Sequence, residues 1–209
     1  MTGEVYGLKR CAKLKVVVLG PDGAGKSTVI RGLSSWLEQQ GIFVKVRHLK
    51  PNVAKLGFGK PVTIVVDPHG KPPRSTLLSI AKIVVWLLEE WLASFIEGRK
   101  ETLLLYDRYY HDLLVDPLRY RYGGPTWAAI LIGKLMPKPD LWVLLDAPAN
   151  VLQARKSEVS LKETARQRDA YLAFARSQKS FAIVDASQPL DKVVTDAERA
   201  ITKMSLLTR

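Results

Sequence analysis

The 209-residue sequence predicts an α/β fold, a parallel sheet with helices on both faces. Three observations predict it. Short apolar runs rich in β-branched residues recur along the chain. Amphipathic stretches of helical period separate them. The first apolar run ends in a glycine-rich turn that opens directly into such a stretch.

The elements follow in order. Residues 14–19 (LKVVVL) read as a buried strand ending at Gly20. Residues 27–40 read as a helix with Val29, Ile30, Leu33, Trp36 and Leu37 on one face, and Gly41 stops it. Residues 42–49 give a second strand. Residues 51–74, broken by glycine and proline, read as an irregular excursion in which 62–66 is a short strand candidate. Residues 75–96 predict a long helix with Ser75 as its cap and Trp86 and Trp91 on its apolar stripe. Residues 102–106 (TLLLY) are a strand ending at Asp107, and 125–135 a helix stopped before Pro137. Residues 141–145 form a fourth strand ending at Asp146. Helices follow from Pro148 to about Lys156 and over 161–178, and a strand over 181–184 precedes a last helix over 189–204. All five strands are expected to be buried.

Composition limits the alternatives. With 47% hydrophobic residues, the chain can bury a full core. The single cysteine, Cys11, excludes an internal disulfide and a multi-cysteine zinc site. The apolar stretch 80–96 is interrupted by Lys82, Glu89 and Glu90 and falls short of the roughly 20 apolar residues of a membrane span. Residues 1–15 lack the apolar segment of a secretory signal. A cytoplasmic protein is expected. Lys+Arg 32 against Asp+Glu 20 gives a net charge of +12, of which residues 1–75 carry +9. Such a field favours anionic partners. No nucleic-acid-binding signature accompanies the basic run Lys9, Arg10, Lys13 and Lys15, so nucleic acid is not the expected partner.

The chemistry resides in Gly20-Pro21-Asp22-Gly23-Ala24-Gly25-Lys26-Ser27, followed by Thr28. It matches G-x-x-x-x-G-K-[ST] between a predicted strand and a predicted helix. Glycines let backbone N–H groups approach an anion closely, and the helix N-terminus adds its partial charge. Lys26 then places a charge on the β- and γ-phosphates of a nucleoside triphosphate, and Ser27 offers its hydroxyl to Mg²⁺. Asp107 and Arg108 stand at the carboxyl end of the third strand, where parallel sheets bind ligands. There the carboxylate suits a metal's water shell or a proton, and the guanidinium forks onto phosphate. Arg155, Lys156, Arg166 and Arg168 flank a Ser-Glu-Val-Ser loop, which reads as a lid or as a solvated face paired with Glu158, Glu163 and Asp169. Arg119, Tyr120, Arg121 and Tyr122 form an aromatic and basic string that could grip an anionic, ring-bearing acceptor or simply line a loop, and Arg74 could serve the same crevice. His48, His69 and His111 show no metal-ligand spacing.

GPDGAGKST, the DRY at 107–109, the LLDAP at 144–148 and the terminal VDASQPL together resemble the thymidylate kinase family of P-loop nucleoside monophosphate kinases, over residues 14–204. The resemblance implies a P-loop NTPase three-layer sandwich: a five-stranded parallel sheet of order 2-3-1-4-5 and a helical lid. It implies a basic N-terminal extension (1–13) followed by one kinase domain (14–209), with the lid at about 155–168. It implies ATP and Mg²⁺ as cofactors and a small-molecule phosphate acceptor. Lys26, Asp107, Arg108, Arg155, Arg166 and Arg168 would be catalytic. Gly20, Asp22, Gly23, Ala24, Gly25, Lys26, Ser27, Thr28 and Gln188 would bind the nucleotide, and Ser27 and Asp107 the metal. Asp22 matches the carboxylate that contacts the acceptor's sugar hydroxyl, Arg108 the arginine on the acceptor phosphate, and Ala186-Ser187-Gln188 the loop beside adenine. Gly23 stands where one branch of the family has an arginine, so the lid would supply that charge.

The sequence departs from the family on the acceptor side. Leu49-Lys50-Pro51 stands for Arg-Glu-Pro, residues 81–90 (AKIVVWLLEE) hold no arginine, and no Ala-Tyr-Gln follows the DRY. The expected function is transfer of the γ-phosphoryl of ATP to a nucleoside monophosphate, dTMP or similar. A related kinase for a nucleoside or a sugar-containing intermediate and a nucleotide-dependent switch without turnover stand as alternatives. A homodimer is left open.

Overall fold

The computed structural model describes residues 14–48, 72–97 and 102–207. The N-terminal extension and the strand candidate at 62–66 lie outside the described residues. The elements run β1 (Lys15–Leu19), α1 (Lys26–Gln39), β2 (Val44–His48), α2 (Thr76–Glu97), β3 (Leu103–Asp107), α3 (Asp112–Val115), α4 (Thr126–Leu135), β4 (Leu141–Asp146), α5 (Ala149–Arg155), α6 (Leu161–Arg176), β5 (Phe181–Asp185) and α7 (Leu190–Leu207). The chain divides into two compact units, the first Met1–His48, Ile96–Tyr109 and Lys138–Arg209, the second Leu49–Phe95 and Tyr110–Pro137.

The first unit holds the sheet. Its five strands are all parallel, in the order β2-β3-β1-β4-β5. Alternation along the strands serves both faces. Val16 and Val18, Leu103 and Leu105, and Leu141, Val143 and Leu145 join one core with Val29, Ile30, Leu33 and Leu37 of α1 and Val193, Ala197 and Ile201 of α7. On the other face the Trp142 ring meets Phe174 of α6 edge-on at 4.9 Å, and Tyr106, Tyr109 and Trp142 extend the aromatic packing. Helices thus cover both faces. Leu33 has no exposed surface, and truncating such a residue to alanine costs about 2–5 kcal/mol.

The burial of the strands differs from the expectation. β1 and β3 are buried throughout and β4 in all but its last residue. The two edge strands are not, with Val46, Phe181 and Ile183 about 40% exposed. Each edge strand has one neighbour instead of two. The charges Lys45 and Arg47 on β2 also oppose pairing with another sheet edge.

The second unit is helical among the described residues. Trp86 of α2 is buried, and its ring packs edge-on against Tyr110 and Tyr120. Trp91, expected on the same buried stripe, is instead 56% exposed, with its Nε1 donating to the Leu135 carbonyl at 3.0 Å. Tyr110 donates its hydroxyl to the Ala129 carbonyl at 2.9 Å. The one-turn α3, absent from the sequence reading, is too short to show a period. It follows the turn at His111, whose carbonyl accepts from Leu114 and Val115.

Candidate active site

The parallel register of the first unit brings the ends of three strands together. Val18 of β1 pairs with Asp107 of β3, and Asp107 with His48 of β2. The loop after β1 therefore begins beside Asp107.

That loop is built from left-handed glycines. Gly23 and Gly25 take φ of 84° and 81°. Gly25 caps α1 and accepts from the amides of Thr28 and Val29. A Cβ on Gly23 would lie 2.4 Å from the Leu152 carbonyl oxygen, so the backbone of α5 excludes any side chain there. This is a physical reason for glycine at 23, and it leaves the charge of an arginine to come from elsewhere. A Cβ on Gly25 would meet nothing within 4 Å, which makes it the open side of the cradle. Lys26 is buried, and its Nζ donates to the carbonyls of Gly20 (2.6 Å) and Pro21 (2.7 Å) and lies 3.8 Å from Asp22.

Asp107, also buried, joins this loop. Its Oδ2 accepts from the Ser27 hydroxyl at 3.3 Å and faces His48 Nδ1 at 3.2 Å. Its Oδ1 is buried with no hydrogen-bond partner. Arg108 is held in the left-handed region, at φ 70°, and donates to the Asp22 carboxylate. That backbone state disfavours a β-carbon by about 1–3 kcal/mol and occurs where structure over-determines it. Here the Arg108 amide still bonds the Val18 carbonyl at 3.2 Å, and the guanidinium is tied to the loop.

The lid candidates have definite partners. Arg168 grips Asp146 at the end of β4 through Nε (2.7 Å) and Nη2 (2.8 Å), and this bond raises its pKa further. Arg155 donates to the Ala186 carbonyl at 2.7 Å. Arg166 forks onto Glu163 at 2.8 and 2.6 Å in an exposed pair. Gln188 donates to Asp185, whose pKa is lowered chiefly by bonds from Ser187. The structure thus brings Asp22 together with Lys26 and Arg108, and Ser27 together with Asp107. It tethers Arg155, Arg166, Arg168 and Gln188 to partners other than these five.

Two residues escaped the sequence reading. His48, set aside for want of metal-ligand spacing, touches Asp107. Its place at the end of β2 was the available signal, because β2 lies next to β3 in the sheet. Asp146 was noted as a strand end but not as the partner of Arg168. Among the described residues no group of three His, Cys, Asp or Glu side chains could hold a metal by itself. Mg²⁺ does not need one, since it keeps several waters and takes other ligands from substrate phosphates. The unpartnered Asp107 Oδ1 and the adjacent Ser27 hydroxyl fit that pattern.

Comparison with known proteins agrees with this geometry. The thymidylate kinase family model matches residues 18–197. The chain is 28% identical to a thymidylate kinase of Haemophilus ducreyi, covering 90% of this chain and 92% of the relative. It is 26% identical to a probable thymidylate kinase 1 of Saccharolobus solfataricus (90% and 96%) and 26% identical to a thymidylate kinase of Fervidobacterium nodosum (83% and 91%). A strand–loop–helix cradle, a lysine inside it, a serine at the helix start, a carboxylate at the neighbouring strand end and a family match over most of the length lead to one conclusion. The chain belongs to the thymidylate kinase family, the ATP- and Mg²⁺-dependent P-loop kinases of nucleoside monophosphates.

Proposed function

We propose that this chain moves the γ-phosphoryl of ATP onto the phosphate of thymidylate or a close nucleoside monophosphate. The observation that carries the reading is the contact of Ser27 with Asp107 and of Arg108 with Asp22. It unites the loop after β1 with the end of β3 in one cluster. The relatives named as thymidylate kinases, matched along nearly their full lengths, support the same acceptor class.

A phosphate acceptor is already ionised near neutral pH, so its activation needs positioning and charge neutralisation rather than a base. In this reading the loop amides and Lys26 hold the donor's phosphates. Arg108 takes the acceptor phosphate, pre-aimed by Asp22 and by its fixed backbone. Ser27 and Asp107 would hold Mg²⁺, which neutralises charge on the β- and γ-oxygens when bound. The segment 155–168 is assigned as the lid. Arg166 forks onto Glu163 in an exposed pair, of a kind worth under about 1 kcal/mol. Arg155 and Arg168 must first leave the Ala186 carbonyl and Asp146.

The reading extends to assembly and location. Leu88, Trp91, Leu92 and Phe95 of α2 and Trp127 of α4 are each more than half exposed, a concentration of apolar surface that supports a homodimer. Among the described residues no helix is long and apolar enough to cross a membrane, and the single cysteine suits a cytoplasmic location. Nucleic acid has no part in this reading.

A panel of nucleoside monophosphates, nucleosides and phosphorylated sugars, read by ADP release, tests the acceptor. Monophosphates, dTMP among them, should stimulate strongly, and Asp107→Asn should lower the rate by weakened metal positioning. Turnover on an alcohol acceptor, abolished outright in Asp107→Asn, would instead make Asp107 a general base. That result would replace the monophosphate reading with the other-acceptor one, which the departures at 49–51 and 81–90 favour. Slow ATP hydrolysis indifferent to every acceptor would indicate a switch.

A further inference from the structure

His48 closes the β2·β3 ladder opposite Asp107. Parallel pairing sets the two residues side by side, and the imidazole Nδ1 lies 3.2 Å from Asp107 Oδ2. Asp107 is buried, whereas more than half of the His48 side chain is exposed. An ionised carboxylate carries no proton, so a nitrogen this close faces it as an N–H. The separation thus assigns the imidazole hydrogen to Nδ1.

The contacts on Asp107 are asymmetric. Oδ2 receives both the Ser27 hydroxyl, at 3.3 Å, and the approach of His48. Oδ1 is buried and has no hydrogen-bond partner. A buried carboxylate oxygen of this kind has lost its hydration and regained nothing for it. The terminal torsion of an aspartate is soft, so one 3.3 Å bond from Ser27 leaves the carboxylate plane free to turn. Ser27 belongs to α1 and His48 to β2. Anchors from two elements on one oxygen pin the plane and leave the other oxygen to face a ligand.

We infer that His48 is a positioning residue: it holds Oδ2 of Asp107 so that Oδ1 stays presented to the water shell of Mg²⁺. The inference deepens the proposed function and rests on its assignment of Asp107 to the metal. His48 acts only through that carboxylate. Partners of this kind behind metal-binding carboxylates are worth roughly 10- to 100-fold in metal affinity.

The test reads metal binding rather than turnover. ATP is titrated by calorimetry into the full-length protein with saturating Mg²⁺ and again in excess EDTA. The ratio of the two affinities is the contribution of the metal. His48→Ala should lower that ratio about tenfold and leave the affinity in EDTA unchanged. Two amides separate geometry from packing. The asparagine amide nitrogen stands as many bonds from the backbone as Nδ1, and the glutamine amide nitrogen as many as Nε2. His48→Asn should therefore restore the ratio, and His48→Gln should not. Asp107→Asn should lower the ratio at least as far as His48→Ala does. Adding His48→Ala to Asp107→Asn should lower it no further. A wild-type ratio in Asp107→Asn would overturn the assignment of Asp107 to the metal, and this inference with it. A lowered ratio in Asp107→Asn beside a wild-type ratio in His48→Ala would overturn the role of His48 alone. So would equal losses with and without the metal, or equal losses in His48→Asn and His48→Gln, since either marks a packing effect.

Discussion

Gly23 and Gly25 share a left-handed backbone but not their surroundings, and the difference separates stability from binding. In Gly25→Ala the new methyl meets no atom within 4 Å. The folded state then bears only the left-handed penalty, about 1–2 kcal/mol. For a chain of this size that lowers Tm by roughly 2–8 °C. Gly23→Ala bears the same penalty and also forces a methyl to within 2.4 Å of the Leu152 carbonyl oxygen. Leu152 is fully buried, so its backbone cannot retreat cheaply, and overpacking adds about 1–3 kcal/mol. Binding should rank the other way for each unit of stability lost. The Gly25 methyl fills the open side of the cradle. Displacing one charge-assisted bond to phosphate there costs about 1.5–3 kcal/mol, or roughly 10- to 100-fold in Mg·ATP affinity. Calorimetric unfolding and Mg·ATP titration of both variants measure the two quantities. Wild-type affinity in Gly25→Ala, or a Tm loss as large as that of Gly23→Ala, would show that the cradle does not open at Gly25.

Two further outcomes follow from the second unit. Burial lowers the His111 pKa to about 4 from its ordinary 6.5, so the unfolded chain binds more protons between those values. Stability should be fully present above pH 6.5 and fall as pH drops toward 4, by roughly 2–3 kcal/mol. Denaturant titrations across that window should show His111→Gln losing less than the wild type, and parallel pH profiles would refute the assignment. Trp91→Glu places a charge on the exposed apolar face of α2. If the proposed homodimer forms through this face, light scattering should report a dimer for the wild type and a monomer for Trp91→Glu, with ATP binding retained; an unchanged mass would remove α2 from the interface.

Much of the fold was legible because alternation and helical period are local signals. LKVVVL, TLLLY and LWVLL each combine apolar content with β-branching or length typical of a strand, and all three became central strands. The edges were misread for the same reason. Residues 42–49 and 181–184 carry enough apolar residues to suggest burial, yet burial also depends on how many neighbours a strand has. That number is set by strand order, which no short segment encodes. Trp91 shows the same limit on a helix. It lies five residues from Trp86, roughly 140° round the helix, so the apolar surface of α2 is wider than the face that finds a partner within the unit.

The site divides along a similar line. A phosphate loop recognises its ligand through backbone amides and glycine conformation, so its identity is written in consecutive residues and survives as a readable string from Gly20 to Ser27. Asp107 and Arg108 were placed by adding one topological rule, that ligands lie beyond the carboxyl ends of parallel strands. His48 needed a second rule, namely which strand lies next to β3. The cations Arg74, Lys82 and Arg121 needed more still. They come from three places along the chain and are joined through the carbonyl of Tyr120, the turn at Gly123 and the start of α2, none of which is a motif. Lys82 in the sequence is merely an interruption of an apolar run. In the folded unit it is an ammonium over a buried indole, and that environment, rather than its residue type, lowers its pKa to about 8.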